Sequence, residues 1–293
     1  MRRSLREGPY LFVVPALLLF FSFFLYPAII GFFYGLTGLD LRKGTSLDFI
    51  GLKNYVEALR DPLMQAAFRN SLYVAVVSSP ILVFGGLTSA LLVAKKGLRG
   101  KAAYATIIIL PVAMPTIATS MIWEFIYDSQ WGAINTILER SSLGFLTTAW
   151  LHNPTTALTA IIVTYCWTFI GFHMAIYFSI IQSIPKSIPE AAAVDGLSEF
   201  QIVTRIIMPL LKPGFGLSIV NTVAGAFTYF DFVFLMTGVS GGGGFTWTDT
   251  MILWIYRNGI AFLKIGYSSA GAAYTTLVVF ALNFVILRRL KIW

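Results

Sequence analysis

Ser187-Ile-Pro-Glu-Ala-Ala-Ala-Val-Asp-Gly-Leu-Ser-Glu-Phe-Gln-Ile-Val-Thr-Arg-Ile-Ile-Met-Pro209 is the stretch whose reading decides the fold. Ser187 and Glu190 have the S-x-x-E spacing of a helix-capping box, with Pro189 in the first turn, where its missing N–H costs little. Gly196 suits the left-handed residue that ends such a helix. Ser198 and Gln201 repeat the box and open a second helix. Phe200, Val203, Ile207 and Leu211 then form an apolar stripe, interrupted near its end by Pro209 and Pro213. The segment predicts two short helices hinged at a glycine. Ala191, Ala192 and Ala193 let the first approach another surface closely, which fits either a partner's groove or a hairpin packed on its own bundle.

On both sides of this loop the chain turns apolar. Hydrophobic residues make up 57% of the 293 positions and charged residues only 12%, with a mean hydropathy of +0.77. A soluble domain needs more polar surface than that, so the bilayer is the implied solvent. Six runs reach the length of roughly 20 residues that a spanning helix requires: Tyr10–Leu36, Ala67–Ala94, Ala102–Tyr127, Thr155–Ile184, Phe215–Thr237 and Tyr267–Leu287. Barrel strands would alternate in polarity over about ten residues, and these runs do not. The first run exceeds the h-region of a signal peptide and lacks a small-x-small cleavage site, so it is expected to remain as a helix. The expected fold is an all-α membrane protein, one transmembrane domain over residues 1–293, with the loop at about 185–213 between the fourth and fifth spans.

Basic residues orient the chain. With the N-terminus inside, the cytoplasmic side holds 13 of the 21 Lys and Arg, in clusters such as Arg2, Arg3 and Arg6, Lys95 to Lys101, and Arg288 to Lys291. It holds only four of the 13 acids: Glu7, Glu190, Asp195 and Glu199. Both termini and the 185–213 loop are then cytoplasmic. These clusters flank spans, which separates a pI near 9.6 from a nucleic-acid-binding surface. The single Cys166 allows no disulfide within the chain, and no metal-ligand cluster is visible.

Between spans, Leu52, Tyr55, Val56 and Leu59 recur at helical spacing and predict a short amphipathic helix on the outer surface. Gly241 to Gly244 precede no Gly-Lys-Ser/Thr and read as a flexible turn, with a helix-like stretch at Thr250–Leu263 beyond them. Pro111 and Pro115 on one run predict a bend, static or part of a moving element. No internal repeat is apparent, which counts against the inverted-repeat secondary transporters.

The loop carries a resemblance. Glu190-Ala191-Ala192, then Gly196, then Ile206-Ile207-Met208-Pro209 resembles the EAA loop of ABC-importer permeases, EAA-x3-G-x9-I-x-L-P. Met208 stands where leucine is usual, a swap of similar volume. In that family the loop forms the coupling helices that dock into an ATPase. Phe49–Tyr55, Trp131–Asn135 and Phe230–Gly238 look like segments of the carbohydrate-uptake branch, which includes the larger maltose permease and glycerol-3-phosphate permeases.

The resemblance implies a subunit that catalyses no chemistry. It implies alternating access with a second homologous permease, two ATPase subunits that bind the ATP and Mg, and an extracytoplasmic substrate-binding protein. No cofactor or metal is expected in this chain itself. Similarity to the maltose permease places sugar-contacting positions at Tyr165, Thr168, Phe169, Phe172, Phe227, Thr228 and Asp231. Only Phe227 keeps the residue type.

Aromatic faces and hydrogen-bonding groups suit a sugar. The fourth and fifth spans offer both, in Trp167, Thr168, Phe169, Phe172 and His173, and in Asn221, Thr222, Phe227, Thr228, Tyr229 and Asp231. A carboxylate at mid-span should face the bundle interior or a water-filled cavity, and Asp231 lies there or nearer the outer interface. His173 has no acidic neighbour one turn away and reads as a packed or hydrogen-bonded residue rather than a proton relay. The cargo expected is a neutral mono- or oligosaccharide. The alternatives are glycerol-3-phosphate or another polyol in the same machine, or an ion-coupled secondary transporter.

Overall fold

A computed structural model of the chain describes residues 8–95, 97–238 and 246–291. Arg2, Arg3, Arg6, Glu7, Lys96 and the run Gly241 to Gly244, used above, lie outside the described residues. The described chain is helical, and its one recorded β contact is an isolated bridge between Thr37 and Phe49.

Four helical stretches are long and apolar enough to cross a membrane unbroken. The first runs Phe12–Gly35, through α1 (Gly8–Phe20), a π turn (Phe21–Leu25) and α2 (Tyr26–Gly35). The others are α4 (Pro62–Ala94), α8 (Ala157–Ser183) and α15 (Ile265–Arg289). Two further spans are present if each of two bent pairs counts as one. α5 (Lys101–Ala113) and α6 (Thr116–Ile126) meet at 102°, and the stretch Glu199–Leu210 meets α12 (Lys212–Thr228) at 65°.

The first bend follows from proline chemistry. Met114 precedes Pro115, whose ring disfavours helical backbone at the residue before it. Met114 is accordingly extended, at φ −80° and ψ 144°, and α6 starts directly after Pro115. Pro111, by contrast, stays inside α5. A second kind of accommodation appears at Pro27 and Pro209. The ring of an in-helix proline crowds the carbonyl four residues back, and in both places a π turn precedes the proline. There Tyr26 N–H donates to the Phe21 carbonyl and Met208 N–H to the Val203 carbonyl.

The chain divides into two compact units, one of residues up to Gln65 with Trp254–Leu277, the other of Ala66–Leu253 with Val278–Trp293. In the first, Asp61 joins three elements. Its carboxylate accepts from Leu63 N–H at the start of α4 (2.8 Å), from the Trp254 indole of α14 (Met251–Tyr256; 3.1 Å) and from the Tyr267 hydroxyl of α15 (2.9 Å).

In the second unit, small residues let helices touch backbone to backbone, the usual contact of membrane bundles. A Cβ on Gly171 of α8 would collide with the backbone of Ile108 and Ile109 in α5, and one on Gly86 of α4 with that of His173 and Met174. Leu87, Ala90, Met174, Tyr177 and Leu211 form a buried core there. Leu211 belongs to the 185–213 loop, so that loop is seated on the bundle.

Candidate functional site

The loop and the α8/α12 surface are the two places where the sequence puts functional residues, and both lie in the second unit. In the loop, α9 (Ser187–Val194) has Lys186 as its N-cap and no side-chain cap. The expected Ser187–Glu190 box is therefore absent. Lys186 is already helical, at φ −57° and ψ −27°, so Ser187 lies inside the helix, where its hydroxyl does not face the free N–H groups. Glu190 falls one position too late to complete the box.

The other end of α9 follows local chemistry closely. Gly196 sits at φ +85°. Its N–H donates to the Ala193 carbonyl and that of Leu197 to the Ala192 carbonyl, at 3.1 Å each, which is a Schellman termination. The second box is present as expected. Ser198 Oγ accepts from Gln201 N–H (3.3 Å), and the Gln201 side chain accepts from Ser198 N–H (2.9 Å). That box opens α10 (Glu199–Ile202), which continues through a π turn (Val203–Ile207) into α11 (Met208–Leu210).

These caps fix what the loop presents. Ala192 is buried, and Ile207 and Met208 pack against the core that holds Leu211. Glu190, Ala191, Gly196 and Pro209 are exposed, and Ile206 is half-buried. Phe200, the first residue of the apolar stripe, is 76% exposed, and Val194 at the end of α9 is 88% exposed. Glu199 at the head of α10 pairs with Lys95 at the end of α4 (3.0 Å). Exposed pairs of this kind contribute about 0–1 kcal/mol.

Between α8 and α12 lies a cavity of about 150 Å³ lined by Tyr165, Phe169, Phe172 and His173 of α8, Asn221 of α12 and Tyr229. Tyr229 breaks the fifth helix. It sits at φ −73° and ψ 94°, between α12 and the short α13 (Phe230–Val233). The break turns its ring onto Tyr165 (centroids 4.4 Å) and Phe169 (5.0 Å). Gly225 leaves the room, since a Cβ there would meet both tyrosine side chains. Polar groups are placed as well. His173 Nδ1 and Ser218 Oγ are 2.6 Å apart and buried, and Asn221 Nδ2 donates to the Leu217 carbonyl (2.8 Å), leaving its own oxygen unused by that bond.

Of the seven positions inferred for sugar contact, Tyr165, Phe169 and Phe172 line this cavity. Thr168 and Phe227 are buried, the first donating to the Thr164 carbonyl (2.8 Å) and the second packed on Phe68 (5.9 Å). Thr228 donates to the Ala224 carbonyl (2.9 Å). Asp231 accepts a hydrogen bond from the Thr116 hydroxyl, which joins the starts of α6 and α13, the two helices that resume after the breaks. His173, Asn221 and Tyr229 came from the wider sequence set. Ser218 was not singled out, although Ser218, Asn221, Gly225 and Tyr229 share one helical face by spacing.

The described chain is thus a bundle of long apolar helices with a polar-aromatic cavity and an exposed loop, the architecture of a membrane permease. The chain belongs to the family described as binding-protein-dependent transport system inner membrane component, whose profile matches residues 82–290. It is a multi-pass inner-membrane permease of the ABC-transporter class. It is 33% identical to the probable ABC transporter permease protein YurN of Bacillus subtilis (strain 168), over 97% of this chain and 96% of that one. It is 32% identical to the sn-glycerol-3-phosphate transport system permease protein UgpA of Yersinia pseudotuberculosis serotype I (strain IP32953), over 96% and 93%. It is 30% identical to the sulfoquinovosyl glycerol transport system permease protein SmoG of Agrobacterium fabrum (strain C58 / ATCC 33970), over 94% and 86%. The fold matches a chain of a bacterial ABC transporter involved in import of the acidic polysaccharide alginate, with a TM-score of 0.82 at 21% identity, covering 98% of this chain and 96% of that one.

Proposed function

We propose that this chain is one of two homologous permease subunits of a binding-protein-dependent sugar importer, and that the α8/α12 cavity is its half of the cargo site. The observation that carries this reading is the pairing of aromatic faces with an amide and an imidazole in one cavity, a combination that fits a polyhydroxylated ring. At about 150 Å³ the cavity is smaller than the ~300–1,000 Å³ of a complete small-molecule site. Phe172 and Asn221 on its rim are exposed in the single chain, which fits completion by a second subunit.

The cargo is a neutral mono- or oligosaccharide. Among the described residues lining the cavity there is no lysine or arginine to receive a phosphate or carboxylate. Asp231, with its carboxylate bonded to Thr116 and outside that lining set, is assigned a structural role. An anionic polyol is the second reading, favoured by the name of the glycerol-3-phosphate relative.

The 185–213 loop faces the cytoplasm together with both termini, and its exposed Val194 on α9 and Phe200 on α10 dock into a separate ATPase. ATP and Mg bind there and not in this chain. ATP-driven closure of the ATPase pair then rocks the spans about their breaks, opening the cavity alternately to a binding protein outside and to the cytoplasm.

The test is reconstitution with the cognate ATPase, second permease and binding protein in vesicles. Substrate-stimulated ATP hydrolysis should vanish when Glu190, Ala191 and Ala192 are replaced together although the subunit still inserts. Coupled transport that survives this replacement would sink the reading. Phe169→Ala and Asn221→Ala should raise the sugar concentration needed for half-maximal transport. Stimulation by a phosphorylated polyol but by no neutral sugar would select the second reading.

A further inference from the structure

Helix α3 (Lys53–Arg60) belongs to the first unit and has three faces where a surface helix ordinarily has two. At about 100° per residue, Asn54, Tyr55 and Ala58 share one sector, Lys53, Glu57 and Arg60 a second, and Leu52, Val56 and Leu59 a third. The first sector meets protein. Asn54 and Ala58 are buried, Asn54 Nδ2 donates to the carbonyls of Gly35 (3.0 Å) and Thr37 (2.8 Å), and the Tyr55 hydroxyl donates to the Phe32 carbonyl (3.1 Å). The second sector is charged, with Lys53 and Glu57 3.9 Å apart, and faces water. The third is apolar yet open: Leu52 is 65% exposed, Val56 45% and Leu59 53%, with exposed Phe49 and Leu63 flanking them.

The depth of α3 says what covers that third face. The first span, Phe12–Gly35, has 24 residues, or about 36 Å at 1.5 Å per residue, against a hydrocarbon thickness of about 30 Å. Gly35 at its end therefore lies at the boundary between hydrocarbon and headgroups. Asn54 and Tyr55 clamp α3 to that last turn, so α3 lies at the same level. The first span is itself exposed along its apolar length, Ile29 and Phe33 near its end included. A helix at this depth, with separate apolar and charged faces and basic residues at both ends, has the features of one lying in the bilayer interface.

We propose that α3 is an interfacial anchor, with Leu52, Val56 and Leu59 inserted among the phospholipid chains next to the headgroups and Lys53 and Arg60 reaching the headgroup layer. Through Asn54 it would hold the end of the first span at a fixed depth. This rests on the first unit alone and not on the identity of the cargo.

The test is a pair of labelling positions in the complete transporter, reconstituted in nanodiscs of phosphatidylcholine and phosphatidylglycerol. Cys166 is buried and is replaced by Ala, and Leu59→Cys and Glu57→Cys each carry a polarity-sensitive fluorophore. Val56→Cys replaces Leu59→Cys if the latter fails to assemble. Lipids bearing a nitroxide near the headgroup should quench the label at position 59 several-fold more than that at 57, and aqueous iodide should do the reverse. Equal quenching by iodide at both positions would overturn the proposal in favour of a water-exposed helix. Shielding of position 59 from both quenchers would overturn it in favour of a protein partner.

Discussion

Thr116→Val removes the hydroxyl that donates to Asp231 while keeping side-chain size and branching. A hydrogen bond to a charged group contributes about 1.5–3 kcal/mol. The Thr116 donor thus offsets part of the cost of holding the part-buried Asp231 carboxylate between the helices. Thr116→Val should destabilise the subunit by about 1.5–3 kcal/mol. Asp231→Asn, which removes the charge but keeps an acceptor, should cost less. In the double variant the loss of the hydroxyl matters little, so the coupling energy is on the order of 1–2 kcal/mol, well above the ~0.5 kcal/mol scatter of independent sites. The assay is unfolding of the purified subunit in mixed micelles by added dodecyl sulfate, followed by helix circular dichroism and tryptophan fluorescence. Additive losses would refute the idea that the pair acts as a unit. Transport adds a second arm, since both single variants should leave the order of preference among sugars unchanged. A changed preference in Asp231→Asn alone would mean that the carboxylate reads cargo.

Three further outcomes are expected. Gly196→Ala puts a Cβ into open space but holds it at φ +85°, which costs about 1–2 kcal/mol; amide exchange at Gly196 and Leu197 should quicken about tenfold, and Gly196→Asn should recover part of the loss. Ser218→Ala leaves the buried His173 Nδ1 without that partner and should lower stability by about 1–3 kcal/mol, read by thermal inactivation of substrate-stimulated ATPase activity. Asp128, in the turn before α7 (Ala133–Arg140), accepts from Trp131 N–H (2.7 Å) and Gln130 N–H (2.8 Å), and these bonds, Trp131 first, hold its carboxyl below the usual carboxylate value. A lowered folded pKa gives stability that is present above the ordinary value and lost as pH falls through the lowered one, so protection of the Trp131 amide, taken relative to its intrinsic exchange rate, should fall on acidification below about pH 4, and Asp128→Asn should abolish that dependence.

What was legible in the sequence was what is decided locally. Hydrophobic length marked the four unbroken spans and the bent pair α5/α6, because a bilayer sets one length for every crossing element. The expected fifth run, Phe215–Thr237, overlaps α12 only to Thr228, and the apolar bent pair there begins at Glu199 instead. Gly196 and the Ser198–Gln201 box were readable because each satisfies backbone groups within a few residues of itself. The same rule failed at Ser187. Two candidate starts compete there, and the backbone at Lys186 turns helical first, a choice the S-x-x-E spacing does not encode. Pro115 announced its break through its ring, but Tyr229 carries no such mark. That break is tertiary, supported by ring contacts to Tyr165 and Phe169 and by the Asp231–Thr116 bond two residues on.

The cavity was harder to read for a related reason. α8 is apolar around most of its circumference, and a helix without a polar side carries little facing signal in its sequence. Periodicity alone puts Tyr165, Phe169 and Phe172 on one stripe, but it does not distinguish a stripe against lipid from one against α12. Glycine makes the difference. Gly171 draws α5 against the opposite side of α8, and Gly225 admits the Tyr165 and Tyr229 rings on the cavity side. The absence of a Cβ at these two positions fixes which way α8 faces, and with it which aromatic rings meet the cavity.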